Sequence, residues 1–380
     1  MIHAAPDRNR DSSTLPSSRA SRPAGSPAYR PFGAFRFALA MMVLLQHGLL
    51  LLPVWQRGML YQLELGAVAV AVFFALSGFI VAEAATSFYA GRPAAFLVNR
   101  TLRVVPPYLA ALAVTVAVDG WLANSGRLVP LDGPLRGSPW QFRVILAAVL
   151  EIVPGLPASR ISGQTFSFIP FAWTLRVEFA FYVVACLTCW LMLTGATPAW
   201  TRRVGAAAFA AAYAAFAVFL LRLGLHDGGV RQILNVPFFA FGVAAFIAFR
   251  TPSRGAMAHL CAAAACVPVA FVVCGERGDP VLIYQLPILA VLYGMLLVLA
   301  RAPSPPGAWR VWDRRLGELS YPLYIGHGVV LTLLASLSAR RGLLPYSLAI
   351  PGALAVAIVL HLAVEQPLRR LRTRIRGAAV

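Results

Sequence analysis

The chain has 380 residues, 59% hydrophobic and 12% charged, with a mean hydropathy of +0.73, which excludes an ordinary soluble domain. Its net charge of +19 comes from 33 basic residues, all arginine, lying between and at the ends of apolar runs. That placement is membrane topology rather than a nucleic-acid surface, so no nucleic-acid partner is expected and membrane lipids are.

Residues 1–33 are rich in Ser, Pro, Ala and Arg without apolar periodicity and read as a disordered cytoplasmic tail. They do not read as a signal peptide, because the apolar run that follows is spanning length and lacks a small-residue cleavage pattern. That run, RFALAMMVLLQHGLLLLPVW from Arg36 to Trp55, carries two ionisable groups, Arg36 and His47. Their eleven-residue spacing returns them to one helix face, about 16 Å apart along the axis. Ionisable residues inside a span mark a functional site by default, although snorkelling of Arg36 and packing of His47 would explain them equally well on this stretch alone.

The second span contains VFFALSGF, where Ser77 and Gly78 break an aromatic wall and permit close helix approach or access to a ligand. Next comes FLVNRTLRVVPPY, with Arg100 and Arg103 at i, i+3 on one helix face ahead of Pro106 and Pro107. Two guanidinium forks suit phosphates; lipid headgroups would satisfy them as well. The run 144–153 is too short to span and is expected at the interface or as a re-entrant segment. The fourth span opens FAWTLRVEFAFY: Arg176 and Glu178, two apart, cannot pair on a helix and each needs a partner elsewhere. Trp173 lies on a different face from Glu178, whose carboxylate is expected to point into the bundle.

Cys186 and Cys189 have the spacing of a redox or metal pair, but no second pair or histidine completes a site, so packing is expected and no metal. The ninth span begins GELSYPLYIGH, placing Ser320, Tyr324 and His327 as a polar stripe that should meet another polar face. The last span ends HLAVEQPLRRLR, where Glu365 reads as a salt-bridge partner beside an arginine cluster.

With about 20 apolar residues per span, helices are expected near 35–55, 63–84, 104–123, 170–194, 203–222, 232–249, 255–274, 280–300, 317–338 and 343–364. The fold class is thus all-α and polytopic, with about ten transmembrane helices. An inside amino terminus puts 21 arginines in cytoplasmic segments against ten outside, so both termini are expected in the cytoplasm. The domain organisation is a tail at 1–33, a membrane domain at 34–366 and a basic tail at 367–380. No nucleotide-binding glycine loop, nucleophile elbow or metal triad is present.

Taken in order, the arginine and histidine of the first span, FFALSGF, the arginine pair before proline and tyrosine, WTLRVEFAFY, SYPLYIGH and VEQP resemble the acyltransferase 3 family of integral-membrane O-acyltransferases. The resemblance runs from Arg36 to Pro367. It implies that Arg36 and His47 are essential, that Arg100 and Arg103 form the cytoplasmic arginine motif, and that Glu178 is the fourth-span carboxylate. Where the family often has Gly-Val-Asp, this chain has Ala69, Val70 and Ala71, and the fused esterase-like domain of some members is not expected here.

The reaction so implied is transfer of an acyl group, acetyl in the first instance, from acyl-CoA to a hydroxyl of a carbohydrate or lipid-linked glycan, in a bacterial inner membrane and without a permanently bound cofactor. His47 is the candidate base, with Arg36 and Glu178 the other catalytic candidates. Arg100, Arg103, Ser77, Trp173, Tyr324 and His327 are the candidate substrate contacts, and Tyr324 and His327 are also candidates for stabilising the oxyanion. The alternative from another class is a proton-coupled small-solute transporter, which buried Arg, His and Glu would also suit, though no inverted repeat is evident.

Overall fold

A computed structural model describes residues 29–131, 135–156, 161–193, 235–274 and 282–377, and every regular element among them is a helix. In chain order these are α1 (Gly33–Gly48), α2 (Val54–Gln62), α3 (Leu65–Thr86), α4 (Pro93–Asn124), α5 (Phe142–Leu150), α6 (Trp173–Leu193), α7 (Val236–Arg250), α8 (Arg254–Cys274), α9 (Leu282–Arg301), α10 (Gly307–Leu337), α11 (Leu343–Leu360) and α12 (Gln366–Arg376). Among the described residues, seven helices are long and apolar enough to cross a membrane, and α7 is a shorter apolar helix of 15 residues. The span expected at 203–222 lies outside the described residues. So does most of the stretch read as a tail, although Tyr29 and Arg30 within it are bonded to Asp313 and Glu83.

Several helices differ in length from the expectation, each for a local reason. The first stops early: after α1 a short 3-10 turn (Leu49–Leu51) leads to Pro53, which adopts an extended conformation and starts α2. Gln46, polar within this apolar run, donates from Nε2 to the Tyr61 carbonyl and accepts from the Leu65 amide, tying the turn between α2 and α3 to α1. In contrast α4 runs for 32 residues, straight through Pro106 and Pro107, so the arginine pair belongs to the same helix as the span. Prolines are tolerated there because neighbouring helices compensate the lost backbone bond. Likewise α10 starts at Gly307, ten residues before the expected boundary, and continues through Pro322.

The centre of the bundle is the parallel pair α1 and α10, with α3 and α4 packed beside it. Glycines set the approach. A Cβ on Gly33 would fall 1.7 Å from the Asp313 carbonyl oxygen, and one on Gly317 2.7 Å from Gly33 Cα. At the same contact the Asp313 carboxylate accepts from the Gly33 amide (3.1 Å), the Ala34 amide (2.8 Å) and the Tyr29 hydroxyl (2.5 Å), satisfying the otherwise bare first turn of α1. Bonds to a charged acceptor contribute about 1.5–3 kcal/mol each. Asp313→Ala is therefore expected to lower the thermal midpoint in detergent clearly, and Asp313→Asn, which keeps one acceptor oxygen, to lower it less. A midpoint unchanged in both would show that α1 needs no such cap. Gly78 serves the close approach expected of it, since its Cβ would lie 2.2 Å from the Phe239 carbonyl oxygen on α7.

After α11 the helix continues through a π turn, His361–Glu365, into α12, whose residues pack along the first turns of α4. Asn99 Nδ2 donates to the Arg372 carbonyl (2.7 Å) and Arg92 Nη2 to that of Ile375 (2.8 Å). The stretch read as a basic tail at 367–380 is thus helical to Arg376, because one of its faces finds a partner in α4.

Candidate functional site

The pairing of α1 with α10 brings the ionisable residues of the first span against the polar stripe of the ninth. Arg36 Nη2 donates to the Gly317 carbonyl at 2.9 Å. Three turns further along, His47 Nδ1 lies 2.9 Å from His327 Nε2. The offsets are 281 and 280 residues, so one parallel register carries both contacts. Phe171 stacks on both imidazoles, with ring centroids 4.2 Å from His327 and 5.6 Å from His47. Gly328 leaves room for that ring, since a Cβ there would sit 3.0 Å from Phe171 Cζ. His327 is fully buried and its Nδ1 is 3.2 Å from the Leu323 carbonyl oxygen; His47 is partly exposed.

Between these histidines and the α12 end of the bundle lies a cavity of about 100 Å³. Its wall includes Arg36, Arg100 and Arg103, with Ser77, Glu178 and Tyr324. Six of the nine residues singled out from the sequence thus meet in one place. Val70, standing where the family often has a residue of Gly-Val-Asp, contributes an apolar part of the wall. Trp173 does not reach the cavity: it is 36% exposed and packs edge-on to Phe74. His47 and His327 lie beyond its inner end, and Tyr324 is the link, lining the cavity with its ring 6.2 Å from that of His327.

The polar groups of this wall have defined partners. Glu178 Oε1 accepts from Ser77 Oγ at 2.8 Å and from the Tyr182 hydroxyl, so it contacts neither imidazole. Arg176 finds its partner in Glu151, a buried ion pair beside α5, which answers the need for separate partners. Thr174 Oγ1 donates to the Phe171 carbonyl (2.9 Å), which leaves the Tyr324 hydroxyl to donate to Thr174 at 2.8 Å. Glu365 does act as a bonded partner, to His361 Nδ1 at 3.0 Å.

The guanidinium groups are less well satisfied. Arg100 is 7% exposed and stacks on the Phe96 and Tyr182 rings, yet its Nε has no hydrogen-bond partner. Arg36 Nε and Arg372 Nε are likewise buried and bare. All three side chains feel the like charge of Arg103. Four guanidinium groups from α1, α4 and α12 therefore converge; among the described residues Glu178 is the one carboxylate on the cavity wall, with Asp313 and Glu365 attracting from outside it. Such an arrangement is costly unless an anion with several oxygens completes it. Arg372 was missed in the sequence because an arginine-rich carboxyl terminus reads as a headgroup anchor; only the packing of α12 on the first turns of α4 reveals it. No group of three or more metal-ligating side chains occurs among the described residues. Cys186 is a free thiol beside the Pro93 carbonyl, and the Cys189 side chain lies outside the described residues.

Comparison with known proteins identifies the family. The acyltransferase domain family matches residues 32–362. The exopolysaccharide production protein ExoZ of Rhizobium meliloti (strain 1021) is 27% identical over 330 residues, covering 83% of this chain and 93% of that protein. No solved structure matches. The matched residues hold α1 through α11 and every arginine, histidine and carboxylate of the site except Arg372 and Glu365. The chain is an integral, multi-pass membrane enzyme that belongs to the acyltransferase 3 family.

Proposed function

We propose that the protein transfers a short acyl group, acetyl in the first instance, from a cytoplasmic acyl-CoA to a hydroxyl of an exopolysaccharide or its lipid-linked precursor in a bacterial inner membrane. The observation that carries the donor is the four-arginine cluster with three bare, buried Nε atoms, which suits the phosphates of a nucleotide thioester. The acceptor rests on the likeness to a protein of exopolysaccharide production.

In the reaction the phosphates dock on Arg36, Arg100 and Arg103, and the pantetheine arm extends past Ser77 toward Tyr324. The acceptor oxygen attacks the thioester carbon, its proton passes to His47, and the carbon–sulfur bond breaks to release the CoA thiolate. Proton removal by a positioned base contributes about 10²–10⁴-fold. Acyl-CoA-dependent modification of glycan by membrane fractions is the direct test. Uptake of labelled solute by sealed vesicles, without transfer, would favour the transporter reading instead.

The topology we infer has ten spans, the seven long helices with α6, α7 and 203–222, and both termini in the cytoplasm. Supporting it, the start of α1 and the end of α12 sit at one end of the bundle, where Arg30 pairs with Glu83 and Arg92 binds the α12 carbonyls. Reporter fusions at residues 30 and 378 are both expected to read cytoplasmic; a periplasmic signal from either would overturn the count.

A further inference from the structure

The geometry points to His327 as the positioning residue that fixes the tautomer of His47, through a chain of hydrogen bonds ending on a backbone carbonyl. This rests on the proposal that His47 is the base, and it supplies a part that the chemistry needs. An imidazole acts as a base only through its unprotonated nitrogen, so the other nitrogen must hold the proton and be kept facing away from the substrate.

The argument starts at the buried end. A carbonyl oxygen only accepts, so the contact between His327 Nδ1 and the Leu323 oxygen at 3.2 Å is a hydrogen bond when Nδ1 carries the proton. A neutral His327 then has a bare Nε2, an acceptor. The bond at 2.9 Å to His47 requires one proton between the two nitrogens, and it must come from His47 Nδ1. His47, a partly exposed residue, is thereby left with a bare Nε2, which has no hydrogen-bond partner among the described residues. The reverse arrangement would set a lone pair of His327 against the Leu323 oxygen and put the proton on the nitrogen that should take one.

The rings suit such a chain. They lie 15° from coplanar with centroids 5.2 Å apart, so the hydrogen bond runs in the plane of both, and Phe171 covers them at 21° and 18°. His327 is fully buried, and among the described residues no carboxylate is hydrogen-bonded to either ring. The orienting group is therefore a neutral imidazole, in the place that an aspartate takes in serine-protease triads. After transfer begins, the proton accepted at Nε2 makes His47 cationic, and the His327 lone pair faces that cation through the same bond. Glu178, which the sequence offers for this task, is committed to Ser77 and Tyr182.

Two measurements test the role. In protein labelled with 15N-histidine, the His47 ring is expected to show a protonated Nδ1 and a bare Nε2 at neutral pH; the opposite tautomer would overturn the inference without any mutation. In kinetics, His327→Leu removes the acceptor and is expected to lower kcat by about 10²–10³-fold with little change in donor KM. His327→Gln places an amide oxygen near the position of Nε2 and should recover most of that loss. In a His47→Ala background, His327→Leu should cost nothing more, since the two act as a unit. Equal losses for Leu and Gln in variants that elute as wild type on size exclusion, or full activity in the Leu variant, would sink the positioning role alone. Normal turnover in His47→Ala would instead sink the base assignment beneath it.

Discussion

His47→Ala is expected to reduce kcat for acyl transfer by about 10²–10⁴-fold, the usual contribution of a positioned general base, while the protein still inserts and elutes as wild type. Loss of the imidazole leaves His327 Nε2 without its donor, at about 1–3 kcal/mol for an unsatisfied buried group. That is small against the packing of α1 on α10, which Asp313, Gly33 and Gly317 secure at the other end of the same contact. Donor KM should move little, because His47 lies about 16 Å along α1 from Arg36 and outside the cavity wall. The comparison to make is kcat and donor KM in membrane fractions containing equal amounts of folded enzyme. A variant that turns over normally would make His47 a packing residue and leave the reaction without a base.

The second large effect is expected in donor binding. Arg100→Gln with Arg103→Gln removes two of the four guanidinium groups, and at about 1.5–3 kcal/mol for each charge-assisted contact the KM for acyl-CoA should rise by roughly 10²-fold or more. Acceptor KM should change far less, the form taken by a loss of uniform binding to one substrate. Arg372→Gln should give a smaller shift in the same direction, since its bare Nε belongs to the cluster but the residue lies outside the cavity wall. Inside-out vesicles present this end of the bundle to added donor. An unchanged donor KM in the double variant would leave both arginines as anchors to lipid headgroups, the other reading their sequence allows.

Much of the membrane architecture is legible in the residues because a bilayer imposes a length and a composition on whatever crosses it. The apolar runs locate most of the described helices, and prolines explain only part of where the bounds differ. Pro53 ends a run that hydropathy alone would continue, while Pro106, Pro107 and Pro322 interrupt nothing, because long helices packed on several neighbours absorb a missing backbone bond. The same periodicity places Arg36 and His47 on one face and Ser320, Tyr324 and His327 on another, and both stripes do find polar partners.

Taken alone, the sequence determined that the chain lives in a membrane, which residues are too polar to be there without purpose, and which family's ordered motifs they match. It could not determine which polar face meets which. Helical spacing defines a direction from one helix, whereas a contact needs the directions of two, and the decisive pairs here are some 280 residues apart. Only the tertiary structure decided that His47 meets His327, that Glu178 holds Ser77 instead of an imidazole, and that Trp173 stays outside the cavity. It also drew Arg372 into the arginine cluster, because the last helix continues past its apolar span as α12, packs along α4 and carries there a charge that the sequence places in a tail.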